Sequence, residues 1–176
     1  DTMLHIAICD DQPDQIRSIR QSSERYFQEK QDTVSYETFD NAFSFVDTIN
    51  QGAIFDIVLL DVCMPGILGT EVAQELRKFS SSTEIIFLTT SDEFAMDAFA
   101  VKATDYLLKP INIPRLRSLL ARIPRPYELI DEVQALRASL RRPARARRSP
   151  TRHRTKIRTA SRRARLLSAE AIEKSR

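Results

Sequence analysis

Short apolar runs alternate along residues 1–123 with longer segments whose apolar residues repeat at helical spacing. The apolar or β-rich runs predict five strands, at 4–9, 33–39, 55–60, 83–90 and 105–109. The intervening segments predict five helices, at 13–30, 41–50, 69–79, 92–101 and 114–123. Pro13 and Pro114 stand in first turns, where helices tolerate proline, and Asp40 or Asn41 can cap the second helix.

This regular alternation predicts an α/β fold. Strand–helix–strand units form right-handed crossovers, which make neighbouring strands parallel and cover both faces of the sheet. Five such units predict a doubly wound, five-stranded parallel sheet with helices on both faces. Ligands of such sheets bind beyond the carboxyl ends of the strands, where the strand order reverses. We therefore expect the chemistry of the protein at those ends.

Composition adds limits on the class of protein. The hydrophobic content of 42% is enough for a core, and no run approaches the roughly 18–20 apolar residues of a membrane span. The first residues lead straight into a strand, so we expect neither a signal peptide nor a membrane partner. Cys9 and Cys63 fit neither a zinc site nor a disulfide framework. They indicate reduced thiols in a cytoplasmic protein.

The net charge of +3 hides two oppositely charged parts. Residues 1–123 contain 11 Lys and Arg against 19 Asp and Glu, whereas residues 124–176 contain 16 against 5. An acidic globular part is therefore followed by a strongly basic segment. The isoelectric point of about 9.0 describes neither of them.

Polar side chains stand at the carboxyl ends of four of the predicted strands, namely Asp10 and Asp11, Asp61, Thr89, and Lys109. Carboxylates brought close together repel one another unless a cation is present, and oxygen ligands open to solvent suit Mg²⁺. With a lysine and a hydroxyl, the set matches the needs of phosphoryl transfer, in which a carboxylate can be the nucleophile. Taken alone, Asp10 and Asp11 also fit a helix-capping turn.

Four motifs in this order, "ICDDQ", "LLDVCMPG", "FLTT" and "DYLLKP", resemble the CheY-like receiver domain of bacterial two-component response regulators. The resemblance extends over residues 3–123 and implies a flavodoxin-like sheet with strand order 2-1-3-4-5. The stretch "AFAVKATDYLLKPI" is most similar to receivers that are joined to LytTR-type DNA-binding domains.

The resemblance also implies roles for the acidic residues. Asp61 would accept a phosphoryl group from the phosphohistidine of a sensor histidine kinase. Asp11 would bind Mg²⁺ directly and Asp10 largely through water, with Asp61 and the backbone carbonyl of Cys63 as further ligands. The side chain of Cys63 can be read simply as a small residue beside the acceptor.

Further roles fall on residues of the fourth and fifth strands. Lys109 would contact the phosphoryl oxygens, and the peptide bond between Lys109 and Pro110 is expected to be cis. Thr89 and Tyr106 would form the conformational switch, although Tyr106 also fits a simple aromatic at the edge of the core. A protein of this kind is expected to catalyse only its own phosphorylation and dephosphorylation, and so not to be an enzyme.

The sequence divides into a receiver domain at 3–123, a linker helix at 124–142 and an Arg-rich tail at 143–176, disordered or partly helical.

The C-terminal segment carries two patterns of its own. In the linker, apolar residues follow one another at intervals of four, three and four, which is compatible with pairing to a partner chain; they are Leu129, Val133, Leu136 and Leu140. Twelve arginines lie between positions 137 and 165. They could bind DNA or RNA phosphates, although such a run is more often a nonspecific patch.

Three functional hypotheses follow. The first is a response regulator that dimerises on phosphorylation and controls transcription, with DNA contacts through the C-terminal region. The second is a stand-alone receiver, which would act in phosphotransfer or protein interaction without binding DNA. The third is an acid phosphatase-like enzyme with Asp61 as nucleophile; it is weakened because Cys63 stands where such enzymes have a second acid.

Overall fold

Five parallel strands form one sheet in the computed structural model, which describes residues 3–140. The strands are β1 (Leu4–Cys9), β2 (Val34–Phe39), β3 (Ile57–Asp61), β4 (Glu84–Thr89) and β5 (Asp105–Leu108). They lie in the order β2-β1-β3-β4-β5. The predicted doubly wound sheet and its strand order are therefore confirmed.

Helices cover both faces of this sheet. They are α1 (Pro13–Lys30), α2 (Ala42–Asn50), α3 (Gly69–Phe79), α4 (Ala95–Ala100) and α5 (Ile113–Arg122), followed by α6 (Pro126–Leu140). Helices α1 and α5 pack on one face through apolar residues such as Phe27 and Leu119. Helices α2, α3 and α4 pack on the other through Phe45, Leu76 and Ala98.

The central strand β3 is the most deeply buried element that positions the site. Residues 57–60 are completely buried, because alternate side chains point into the two apolar layers on either face. Burial on both faces explains why this strand is a continuous apolar run rather than an alternating one. It also fixes the position of Asp61, the last residue of the strand.

Several predicted boundaries shift by one to three residues. The largest change is in α4, predicted from residue 92 but observed from Ala95. Here the hydroxyl of Ser91 accepts a hydrogen bond from the backbone N–H of Glu93 at 3.2 Å. Such local side-chain bonds hold the backbone in a turn, so the helix begins later in the sequence than predicted. Of the two predicted caps of α2, Asp40 and Asn41, the structure has Asn41, whose side chain accepts from the N–H of Ser44 at 2.8 Å.

Helix α6 lies within the segment predicted as a linker helix. The exact domain boundaries stay predictions, and the predicted Arg-rich tail at 143–176 lies outside the described residues. Within residues 3–140, none of the helices combines the length and the apolar character needed to cross a bilayer.

Candidate functional site

Three carboxylates meet at the point where the strand order reverses. Strand β1 pairs with β2 on one side and with β3 on the other, so a crevice opens beyond the carboxyl ends of β1 and β3. Asp10 and Asp11 directly follow β1, and Asp61 ends β3. Each offers a carboxylate oxygen, and these atoms lie within 4.8 Å of one another.

Lys109 brings a positive charge into this cluster from the end of β5. Its backbone N–H donates to the carbonyl of Thr89 at 2.7 Å, which ties it to the tip of β4. Its Nζ donates to Oδ2 of Asp10 at 2.6 Å and to Oδ2 of Asp61 at 3.1 Å. The three side chains are only 8%, 1% and 4% exposed, respectively, so this is a buried network. The Lys109–Pro110 peptide bond is cis.

The second oxygen of each buried carboxylate is held by the backbone. Oδ1 of Asp10 accepts from the N–H of Gln12 at 2.9 Å, and Oδ1 of Asp61 accepts from the N–H of Cys63 at 3.3 Å. Asp10 therefore holds the turn that leads into α1 with one oxygen and joins the acidic cluster with the other. It does not cap the helix, because the N-cap residue of α1 is Gln12, which has no side-chain capping bond.

Burial and charge act in opposite directions on the pKa values in this site. Burial raises the pKa of Asp61 above its ordinary value, and the charge and hydrogen bond of Lys109 only partly offset this effect. Burial by itself would lower the pKa of Lys109, but the hydrogen bond to Asp10 and the negative charges of Asp61 and Asp10 outweigh it. The pKa of Lys109 is therefore raised, and the lysine stays charged at neutral pH.

The raised pKa of Asp61 predicts that Asp61→Asn stabilises the metal-free protein at neutral pH. A carboxyl that binds its proton more tightly in the folded state contributes stability below its ordinary pKa of 3.8. That contribution is lost as the pH rises through the folded pKa, and asparagine, which is uncharged, does not lose it. Urea unfolding in EDTA should show the variant gaining over the wild type as the pH rises above 3.8. A variant less stable than wild type at neutral pH would contradict this view of the site.

Thr89 and Tyr106 lie beside the cluster. Thr89 is fully buried, with its Oγ1 3.5 Å from Sγ of Cys63 and 3.4 Å from the backbone nitrogen of Ser91. Tyr106 is half-buried: its hydroxyl donates to the carbonyl of Ser91, and its ring packs at 6.2 Å from that of Phe87. Both residues thus contact the segment that follows β4. This geometry suits the switch and also the edge-of-core alternative for Tyr106.

The donor set fits a hard divalent cation. Three carboxylates and one ammonium leave two negative charges in excess, which is the charge that one Mg²⁺ ion would balance. The available donors are oxygens, as Mg²⁺ prefers. Burial, followed by the charges of Asp10 and Asp61, raises the pKa of the nearby Cys9 to about 12, so this thiol stays neutral and is a poor ligand.

Gly69 is a residue of the site that the sequence did not indicate. It begins α3, and a Cβ atom at this position would lie 2.1 Å from the carbonyl oxygen of Asp61 and 2.9 Å from Cα of Val62. The N–H of Gly69 donates to the carbonyl of Val62 at 2.9 Å. The start of α3 therefore approaches the end of β3 more closely than any other residue type allows. The only signal in the sequence is a second glycine soon after "MPG".

Comparison with known proteins gives a family match that covers most of the described residues. The response regulator receiver domain family matches residues 6–121. The sensory transduction protein LytT of Oceanobacillus iheyensis is 34% identical over 125 residues, which cover 68% of this chain and 48% of that protein. The transcriptional regulatory protein BtsR of Escherichia coli is 35% identical over 121 residues, which cover 69% and 48%.

A third relative, the positive alginate biosynthesis regulatory protein of Pseudomonas aeruginosa, is 39% identical over 87 residues, which cover 49% of this chain and 34% of that protein. The chain thus spans about half the length of these curated relatives, or less. Among solved structures, the chemotaxis response regulator CheY4 of Vibrio cholerae is 29% identical with a TM-score of 0.53, covering 70% of this chain and all of that one. The BeF3-activated DrrB receiver domain is 28% identical with a TM-score of 0.55, covering 69% and 97%.

Proposed function

Because this chain belongs to the response regulator receiver family, we propose that it accepts a phosphoryl group on Asp61 from the phosphohistidine of a sensor histidine kinase. One observation carries the proposal: the Asp61 carboxylate sits in a cluster with Asp10 and Asp11 and is held by Lys109 at 3.1 Å. A fixed carboxylate beside a fixed ammonium is the combination that phosphoryl transfer to an acid requires.

The transfer needs no general base. An oxygen of ionised Asp61 forms a bond to phosphorus while the P–N bond of the donor breaks, and the imidazole nitrogen keeps the electron pair and takes up a proton from water. This fits the position of His5, which lies in the amino half of β1, away from the site, and accepts from or donates to Ser35 at 2.8 Å. Lys109 would stabilise the charge of the incoming phosphoryl oxygens.

Asp10, Asp11 and Asp61, with the backbone carbonyl of Cys63, would hold a Mg²⁺ ion. When bound, the ion would neutralise charge on the phosphoryl oxygens. The protein itself supplies the arrangement: β1 and β3 set the spacing of the carboxylates, and backbone N–H groups fix the orientation of Asp10 and Asp61.

Phosphorylation would be read out through Thr89 and Tyr106, which would move toward the new anion and favour a homodimer. Control of transcription is the proposed output, since relatives of this chain include a transcriptional regulatory protein. DNA contacts would come from the C-terminal region, where arginines are concentrated between positions 137 and 165. The expected cytoplasmic location stays a prediction.

The alternative is a stand-alone receiver without DNA binding. The full chain, treated with a small phosphoryl donor and Mg²⁺, should change its oligomeric state and gain salt-dependent DNA binding, and Asp61→Asn should abolish both changes. Deleting residues 137–176 should remove the DNA binding but not the phosphoryl uptake. Absence of DNA binding in the full chain, despite phosphoryl uptake, would favour the stand-alone receiver.

We also propose that the chain is not a turnover enzyme. Release of more than one equivalent of phosphate from a phosphate ester would instead favour a phosphatase.

A further inference from the structure

Helix α6 presents an exposed surface over residues 131–139. All residues from 131 to 139 are exposed, and the apolar residues Val133 and Leu136 are 48% and 55% exposed. A single helix of 15 residues gains little stability in water without packing against something else. An exposed apolar stripe on such a helix is a surface that a second helix can cover.

The residues of α6 fit a heptad repeat of a parallel two-stranded coiled coil. Val133 takes position a and Leu136 position d, a combination of β-branched and Leu residues that favours two parallel strands. The sequence places Leu129 at the preceding d position and Leu140 at the following a position. This is the four-three-four spacing of a continuous seam.

The charges beside the seam distinguish a parallel partner from an antiparallel one. Glu132 occupies a g position and Arg137 the e position five residues later, and both are exposed. In a parallel pair of helices, a g residue of one helix faces the following e residue of the other. Glu132 of each copy would therefore face Arg137 of the other, which gives one ion pair on each side of the seam. In an antiparallel pair, g residues face g residues and e residues face e residues, so these opposite-charge pairs would not form; the charges therefore favour the parallel arrangement.

The point at which α6 begins is rigidly held. Arg125, the residue before the helix, is 6% exposed in its side chain; its Nε donates to Asp32 Oδ2 at 2.9 Å. Its guanidinium also donates to the carbonyl of Ile123 at 2.9 Å and lies 5.1 Å from the ring centre of Phe27. Two copies related by a twofold axis would therefore start their α6 helices at equivalent positions and in register.

We propose that α6 is the interface with a second copy of this chain, forming a parallel coiled coil with Val133 and Leu136 in its seam and Glu132–Arg137 pairs at its sides. The inference rests on the proposed function in that phosphorylation of the receiver favours the dimer. The seam itself is a property of α6, so it is tested separately from phosphoryl transfer. The identical fixed starts of the two helices give the pair its register.

The test is sedimentation of the full chain over a range of concentrations, with and without a small phosphoryl donor and Mg²⁺. Leu136→Lys should weaken self-association about tenfold or more, because it places a charge in the seam. The matched control is Gln134→Lys, which adds the same charge to an exposed b position and should change self-association by no more than about twofold. Lysine is a good helix former, so both variants should keep α6.

Reversing the charges of Glu132 and Arg137 provides a second test of the same interface. Glu132→Arg and Arg137→Glu should each weaken self-association, and the double variant should restore it, because the pairs are then reversed but complementary. Equal self-association of Leu136→Lys and wild type would overturn the proposal, as would a chain that stays monomeric in both states. Phosphoryl uptake by Asp61 in the same samples separates this outcome from failure of the proposed function, since the α6 variants should take up the phosphoryl group normally.

Discussion

Lys109→Met is expected to lower the rate of phosphoryl uptake about a hundredfold or more, the usual effect of removing one fixed donor to a developing negative charge. Methionine keeps much of the length of the side chain but removes the ammonium that contacts Asp10 at 2.6 Å and Asp61 at 3.1 Å. The pKa of Asp61, already raised by burial, would rise further without that charge, and less of the nucleophile would be ionised. The uptake rate from a small phosphoryl donor measures the effect.

The same substitution should destabilise the metal-free protein by about 3 kcal/mol at neutral pH, because it leaves two buried carboxylates without their cation. Lys78→Met is the matched control: it removes an equal charge from an exposed pair with Glu75, a pair of little value for stability. Uptake should therefore be normal in the control. Near-wild-type uptake by folded Lys109→Met would show that the ammonium takes no part in the transfer.

Gly69→Ala is expected to destabilise the protein by about 3 kcal/mol and to slow phosphoryl uptake. The new Cβ would collide with the backbone of Asp61 at 2.1 Å, and backbone atoms of a buried central strand cannot move aside cheaply. Either α3 moves outward or the end of β3 is displaced, and both responses shift the Asp61 carboxylate. Urea unfolding and the uptake assay together measure the two effects.

Gly52→Ala is the control for adding a methyl group to glycine. Gly52 has φ +93°, so alanine is strained there, but its Cβ would meet none of the described atoms within 4 Å. The expected cost is about 1 kcal/mol with normal phosphoryl uptake. If both variants lost the same stability and kept normal uptake, the close approach of α3 to Asp61 would have no functional importance.

Most of the sheet could be predicted from the sequence, because each strand is a short apolar or β-rich run and most of these runs end in, or just before, a polar residue. Strand β3 is apolar up to Asp61, so both its burial and the position of the acid at its end could be predicted. The grouping of Asp10, Asp61 and Lys109 followed from the rule that parallel strands end at one edge.

Contacts between distant elements could not be predicted in the same way. The collision that makes Gly69 necessary depends on the distance between α3 and β3, which no local pattern encodes. The buried pair between Arg125 and Asp32 joins residues far apart in the sequence, and both would ordinarily be assigned to the surface. The late start of α4 follows a turn in which the hydroxyl of Ser91 accepts from the N–H of Glu93 and the carbonyl of Asp92 accepts from the N–H of Ala95. The predicted roles of the site residues concern chemistry and stay predictions until they are measured.

The mass of the full chain after incubation with a small phosphoryl donor and Mg²⁺, followed by location of the modified residue in its peptides, measures whether Asp61 is the phosphoacceptor. We expect one phosphoryl group, on Asp61, with no uptake in EDTA or by Asp61→Asn. Uptake should be retained in Asp97→Asn, which changes an exposed acid on α4. Uptake by Asp61→Asn equal to that of the wild type, or no uptake by the wild type, would contradict this role of Asp61.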